Sequence, residues 1–305
     1  MKFQRFTKKN IIVNTLLVTL YLLWSNLALH SGAGSLFLSA FWLVMFYAHQ
    51  KTRRFILGFS IFILYWIIYD SMRILPNYQV NTVHIKQPYI IEKSLFGVVY
   101  NNKLLTPNEY FDIIHTKTLD IIAGLFYLNW VPVPLAFAFY LYFKNKELFI
   151  NFSLTFLLVN IAGFIIYYLY PAAPPWYVKI YGFDLHIGVP GNTAGLGRFD
   201  ALTGINVFSS LYGKNANVLA AMPSLHASYP VVVLYYALKN RMKAASGFFV
   251  IFMLGIWFSA VYSGHHYIID VLAGLIIAIT VIFAFEKISN KKSIKKHLEN
   301  FSKII

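Results

Sequence analysis

SAVYSGHHYIIDVLAGLIIAITVIFAFE, residues 259–286, decides the fold. From His266 onward it is an almost unbroken apolar run, close to the roughly 20 residues that a bilayer-spanning helix needs. Its start nevertheless carries His265, His266 and Asp270. Ionisable groups in a spanning segment are costly and mark function. Seven more apolar runs lie near 11–29, 34–49, 55–70, 120–143, 148–170, 222–238 and 245–262, the second and third being short. The expectation is an all-α polytopic membrane bundle of about eight helices. Two N-terminal helices (residues 1–54) precede a six-helix catalytic region over 55–287, and a basic cytoplasmic tail covers 288–305.

Composition agrees. Of 305 residues, 58% are hydrophobic and 12% charged, whereas soluble domains carry about 25% charged residues. The net charge of +15 comes in short clusters between the apolar runs, so it reads as topogenic and lipid-facing, with no nucleic-acid partner. The absence of cysteine excludes disulfides and thiolate chemistry. MKFQRFTKKN with its apolar run resembles a signal peptide but lacks a small-residue cleavage site, so it reads as a retained first helix. Eighteen of the 26 lysines and arginines fall in the segments that are cytoplasmic if both termini are cytoplasmic. Two long segments, 71–118 and 171–221, then lie on the extracytoplasmic face, periplasmic or luminal. They hold YPAAPPWYVKIYGFD and GNTAGLGRFDALTG, in which Pro174 and Pro175 read as the stop of the fifth helix and the glycines around Arg198 as tight turns.

Three motifs share that outer side: AMPSLHASYP with Ser224 and His226, the 261–274 stretch, and the loop from APPWY to GLGRFD. The sixth and eighth helices both begin there. Their paired N-termini would offer free N–H groups and partial positive charge to a phosphate. His266 and Asp270 are four residues apart and would share a helix face, so the carboxylate can orient the ring, while His265 points elsewhere. His226, at the same depth, suits a general acid. A nucleophilic His, its orienting Asp and a second His fit phosphoryl transfer through a phosphohistidine. That scheme calls for no metal and no other cofactor, although a His/His/Asp zinc site is the competing reading. His30, His49, His84, His115 and His186 read as ordinary interfacial residues, Lys179 and Arg198 equally well as lipid-facing cations, and Trp176 with Tyr177 as an aromatic belt. A transporter with the histidines and Asp270 as a proton relay is the reading of another class.

PSLH followed by SAVYSGHHYIID resembles the second and third signatures, PSGH and SR-x5-H-x3-D, of the type 2 phosphatidic acid phosphatase superfamily. Leu225 and Ala260 depart from them. The first signature, K-x6-RP, is also changed, with Gly163 at the Lys position and Tyr170 and Pro171 at RP. YPAAPPWY, GLGRFD, MPSLH and HHYIID in this order are similar to the inositol phosphorylceramide synthase branch, over about residues 60–285. The resemblance implies a sphingolipid-metabolic transferase that moves phosphoinositol from a phosphatidylinositol-like donor to a ceramide-like acceptor. It makes His266 the nucleophile, Asp270 its orienter and His226 the acid. Arg198, with Lys179 and Ser224, would hold phosphate, and Arg73 and Lys93 would contact the headgroup. A lipid phosphatase, with water as acceptor, would use the same residues at phosphorus.

Overall fold

The computed structural model describes residues 5–29, 32–213 and 217–305. Three helices open the chain: α1 (Lys8–Ala28), α2 (Ala33–Ala48) and α3 (Gln50–Ser71). The first long connection holds α4 (Lys86–Phe96), a hairpin of β1 (Val98–Tyr100) and β2 (Lys103–Leu105), and α5 (Pro107–Ile114). Next come α6 (Lys117–Leu128), α7 (Pro132–Lys144) and α8 (Lys146–Leu169). The second connection carries the short α9 (Pro175–Tyr181), α10 (Gly197–Thr203) and α11 (Val207–Tyr212). The chain then continues through α12 (Leu225–Lys239), α13 (Lys243–Tyr262), α14 (Ile268–Ser289) and α15 (Lys292–Ile304).

All eight apolar runs are helical, and the chain is an all-α polytopic membrane bundle. Five helices are individually long and apolar enough to cross a bilayer, and the α6–α7 pair is so only when its two helices are taken together. That pair corrects the single span expected over 120–143. It bends by 40° where Pro132 and Pro134 remove backbone donors. α2 has 16 residues and α12 has 15, lengths of about 24 and 22 Å at 1.5 Å per residue.

α8 is the central post, packed by α3, α7, α12, α14 and α15. Phe149, Phe152, Val159, Val232 and Tyr236 are buried in the cluster around it. Between helices in lipid the hydrophobic effect is weak, so close packing and internal polar pairs hold the bundle. Tyr229 Oη donates to Asn160 Oδ1 at 2.5 Å, and Thr155 Oγ1 pairs with Tyr236 Oη at 2.8 Å. Gly274 brings α14 against the start of α12. A Cβ there would lie 2.2 Å from the Ser224 carbonyl oxygen.

Three further expectations change. α8 ends at Leu169, before Pro171, and Pro174 and Pro175 instead start α9, as N-cap and first residue. Arg198 sits on α10 and not in a turn. Trp176 and Tyr177 are buried against Ile85, Ala173 and Leu219, so they form no lipid-facing belt. The basic tail is helical, with Leu298 and Phe301 packed on the core. Of the five bland histidines, His30 lies outside the described residues. His49 caps α3, His84 stacks on Tyr170, His115 Nδ1 faces the Asp112 carbonyl, and the His186 amide donates to Tyr177 Oη.

Candidate active site

The α13–α14 turn and the start of α12 meet at one point. The Ser224 amide donates to the Asp270 carbonyl at 2.9 Å, and Ser228 Oγ donates to the Gly274 carbonyl at 2.8 Å. These bonds set His226, near the start of α12, against the turn. His226 Nδ1 lies 3.1 Å from His266 Nε2. On the other side of the same ring, His266 Nδ1 faces Asp270 Oδ2 at 3.6 Å, an ion-pair separation longer than a hydrogen bond. One imidazole is thus flanked by a carboxylate and by a second imidazole. Trp130 presents an edge to His226 at 4.5 Å, and Tyr127 lies 5.1 Å away.

The helix-face argument for His266 is corrected. α14 begins at Ile268, so His266 precedes it. The two residues meet because Asp270 folds back over the helix start, accepting the Tyr267 amide at 2.8 Å. His265 turns away from the pair. Its Nε2 contacts the Thr193 carbonyl at 2.9 Å, and its ring stacks between Tyr127 and Tyr212.

The expectation of two open helix N-termini is also corrected. Glu92 of α4, fully buried, accepts the Ile268 amide at 2.9 Å and the Ile269 amide at 3.1 Å. The anion-binding end of α14 therefore already holds a carboxylate. Burial pushes Glu92 up to about 7, against the two amides that favour its charged form. Ser224, assigned to phosphate, is fully buried, and its Oγ accepts the Ala227 amide as the N-cap of α12.

The cations are engaged as well. Arg198 Nε meets Asp120 Oδ1 at 2.6 Å and its Nη1 lies 3.6 Å from Asp112. Lys179 reaches Asp112 at 2.6 Å. Both line a cavity of about 550 Å³ that also touches Tyr262, Ser263, Gly264 and Tyr267, the residues bracketing the two histidines. Arg73 pairs with Asp70, three residues earlier, and does not line this cavity. Lys93 is not on the wall either. It donates to Tyr89 Oη at 2.8 Å, and Tyr89 itself lines the cavity. That hydrogen bond raises the Lys93 pKa.

The departures from the phosphatase-type signatures have a packing logic. Leu225 lies over Gly163, where a Cβ would come within 2.6 Å of its Cδ2. A leucine at one altered position thus fills the space left by a glycine at the other. Ala260 is fully buried, and its carbonyl accepts the amides of both His265 and His266.

Sequence reasoning missed Glu92, Asn108 and Asp120. Asn108 Nδ2 donates to the carbonyls of Val261 at 2.7 Å and His266 at 2.9 Å, clamping the turn from outside. Asp120 was visible as a carboxylate at the start of an apolar run. Nothing local links Glu92 to residues 176 positions away. Among the described residues, no three His, Asp or Glu side chains converge to hold a metal ion.

A family model described as the PAP2 superfamily matches residues 110–284, from α5 to the body of α14. The chain belongs to the PAP2 superfamily. Its PAP2 region holds His226, His266 and Asp270, whereas Glu92 and Asn108 precede it. The chain is 46% identical over 282 residues to the phosphoinositol dihydroceramide synthase of Bacteroides thetaiotaomicron, covering 92% of each protein. It is 28% identical over 230 residues to the inositol phosphorylceramide synthase of Candida albicans, 73% of this chain and 46% of that one. The inositol phosphorylceramide synthase catalytic subunit of Saccharomyces cerevisiae is likewise 28% identical, over 74% of this chain and 55% of its own length. The chain thus spans about half the length of these fungal PAP2 relatives. No solved structure matches.

Proposed function

We propose that the chain transfers phosphoinositol from a phosphatidylinositol-like donor to the hydroxyl of a ceramide-like acceptor, on the extracytoplasmic face of its membrane, with both termini cytoplasmic. The observation that carries the chemistry is the flanked ring of His266, with Asp270 at Nδ1 and His226 at Nε2. The donor and acceptor follow the names of the relatives. The orientation rests on the distribution of lysine and arginine.

In this mechanism Asp270 keeps the proton of His266 on Nδ1, so that the lone pair is on Nε2. The donor phosphate enters between the two rings, displacing the His226 contact, and its negative charge favours the imidazolium form of His226. Nε2 of His266 attacks phosphorus as the bond to the diacylglycerol oxygen breaks. His226 gives its Nδ1 proton to that oxygen, and neutral diacylglycerol leaves. The phosphoinositol held on His266 is then attacked by the acceptor hydroxyl, whose proton returns to His226. Asp270 balances the positive imidazole throughout, and the Arg198 guanidinium steadies the phosphate from the cavity side.

The test is transfer of label from inositol-labelled phosphatidylinositol by detergent-purified protein, with and without ceramide. Labelled inositol phosphorylceramide that forms only with ceramide supports the proposal. Release of inositol phosphate at the same rate without ceramide means that water is the acceptor and the protein is a hydrolase.

A further inference from the structure

The cavity beside the histidine pair contains polar side chains that the protein does not satisfy. Asn108, Ser263 and Tyr267 line it and are 7%, 3% and 1% exposed. Asn108 Oδ1, Ser263 Oγ and Tyr267 Oη have no partner in the protein, and neither does Nη2 of Arg198 on the same wall. Buried polar groups are normally hydrogen-bonded, and exceptions concentrate where a ligand completes them. Four such atoms, all on residues of one wall and next to the turn that carries His266, mark a candidate binding surface.

The chemistry of the wall selects the ligand. An amide oxygen and two hydroxyls accept, and a guanidinium and the same hydroxyls donate. The carboxylates of Glu109 and Asp112 add further acceptors. A simple anion would meet those two acids. A quaternary ammonium has no hydrogen to donate and would leave the orphaned atoms unpaired. A ring carrying several neighbouring hydroxyls supplies both donors and acceptors on all sides.

We infer that this cavity is the seat of the donor's polyol headgroup, and that Asn108, Ser263 and Tyr267 help select a polyhydroxylated ring over amine-bearing headgroups. The inference rests on the proposed phosphoinositol transfer and adds the residues that would recognise the sugar-like ring. Asn108 has a double part. Its amide nitrogen holds the turn at Val261 and His266, while its oxygen has no partner in the protein. Headgroup binding is thereby tied to the position of the nucleophile's own backbone.

Ser263→Ala and Tyr267→Phe each delete a hydroxyl with no partner in the protein, so neither removes a bond that holds the fold. With about 1 kcal/mol per ligand hydrogen bond and tenfold per 1.4 kcal/mol, each raises KM for phosphatidylinositol about fivefold and the pair about 30-fold, with kcat within about twofold. On the wild-type protein, inositol 1-phosphate should inhibit transfer at about tenfold lower concentration than phosphocholine or phosphoethanolamine. Unchanged KM in both variants, or equal inhibition by phosphocholine, overturns the headgroup site while leaving phosphoinositol transfer standing. If wild-type protein takes label from phosphatidylcholine or phosphatidylethanolamine but not from phosphatidylinositol, the donor reading itself falls, and the polyol site with it. The inhibition measurement needs no variant, so it decides the matter even if a substitution fails to fold.

Discussion

Removing Glu92 probes how the connection between α3 and α6 supports the candidate site. Its two carboxylate oxygens accept the Ile268 and Ile269 amides, and its side chain is fully buried. Glu92→Ala leaves two amides without an acceptor, at about 1–3 kcal/mol each. It also removes a favourable charge at a helix N-terminus, about 0.3–1 kcal/mol. Burial already works against this carboxylate, as its rise to about 7 indicates, so the net loss is smaller than the sum, roughly 2–4 kcal/mol. Glu92→Gln keeps one acceptor and should lose about half as much. Because α14 begins with the residues that set Asp270 against His266, kcat should fall at least about tenfold, as misplacement of about 1 Å can cost 100-fold.

The pH dependence follows from the direction of the shift. A carboxylic acid whose folded pKa is raised binds its proton more tightly in the folded chain than in the unfolded one. Stability therefore falls as pH rises from about 4.5 through about 7, and the wild type should lose more than Glu92→Gln across that window. Thermal unfolding of detergent-purified protein at pH 5 and pH 7.5, with kcat measured alongside, provides the assay. A Glu92→Ala protein with the wild-type unfolding temperature and kcat would refute the reasoning.

Three other outcomes are expected. Asp270→Asn removes the charge facing His266 Nδ1 and should lower kcat about 100-fold, a barrier rise of about 2.7 kcal/mol, with a much smaller change in donor KM. His226→Ala should lose about 10²–10⁴ in kcat, and a phosphodiester donor with a nitrophenol leaving group, which needs no proton, should recover most of it; equal loss with both donors would exclude His226 as the acid. Gly274→Ala sets a methyl 2.2 Å from the Ser224 carbonyl, so α12 and α14 must separate, and both thermal stability and activity should drop; a neutral result would mean that the helix contact is not needed.

The legible part of this molecule was the part written in local pattern. Apolar runs marked the helices, and the run from His266 to Glu286 with its polar start marked the candidate site. His266 and Asp270 do lie 3.6 Å apart, though the helix-face argument for it fails because the helix starts two residues after His266. What was not legible depends on contacts between distant segments. Glu92 closes a helix end 176 residues away, and Asn108 clamps a carbonyl 158 residues away. No spacing rule reaches that far. Arg198 and Lys179 stood out as cations, yet their partners Asp112 and Asp120 lie on other elements, so their charges could not be seen as already paired. Gly163 and Leu225 looked like separate losses from two signatures, and only their contact makes them one change.

In the proposed mechanism His266 carries the phosphoinositol group between the two lipids. Protein quenched within one turnover after mixing with phosphatidylinositol labelled in its inositol ring, without acceptor, tests it directly. The account predicts covalent label on the polypeptide that is lost in acid and stable in base, as expected of a phosphorus–nitrogen bond. That label should be discharged by added ceramide and absent from His266→Ala. Label that persists in His266→Ala, or ceramide-dependent transfer at full rate by that variant, would contradict it.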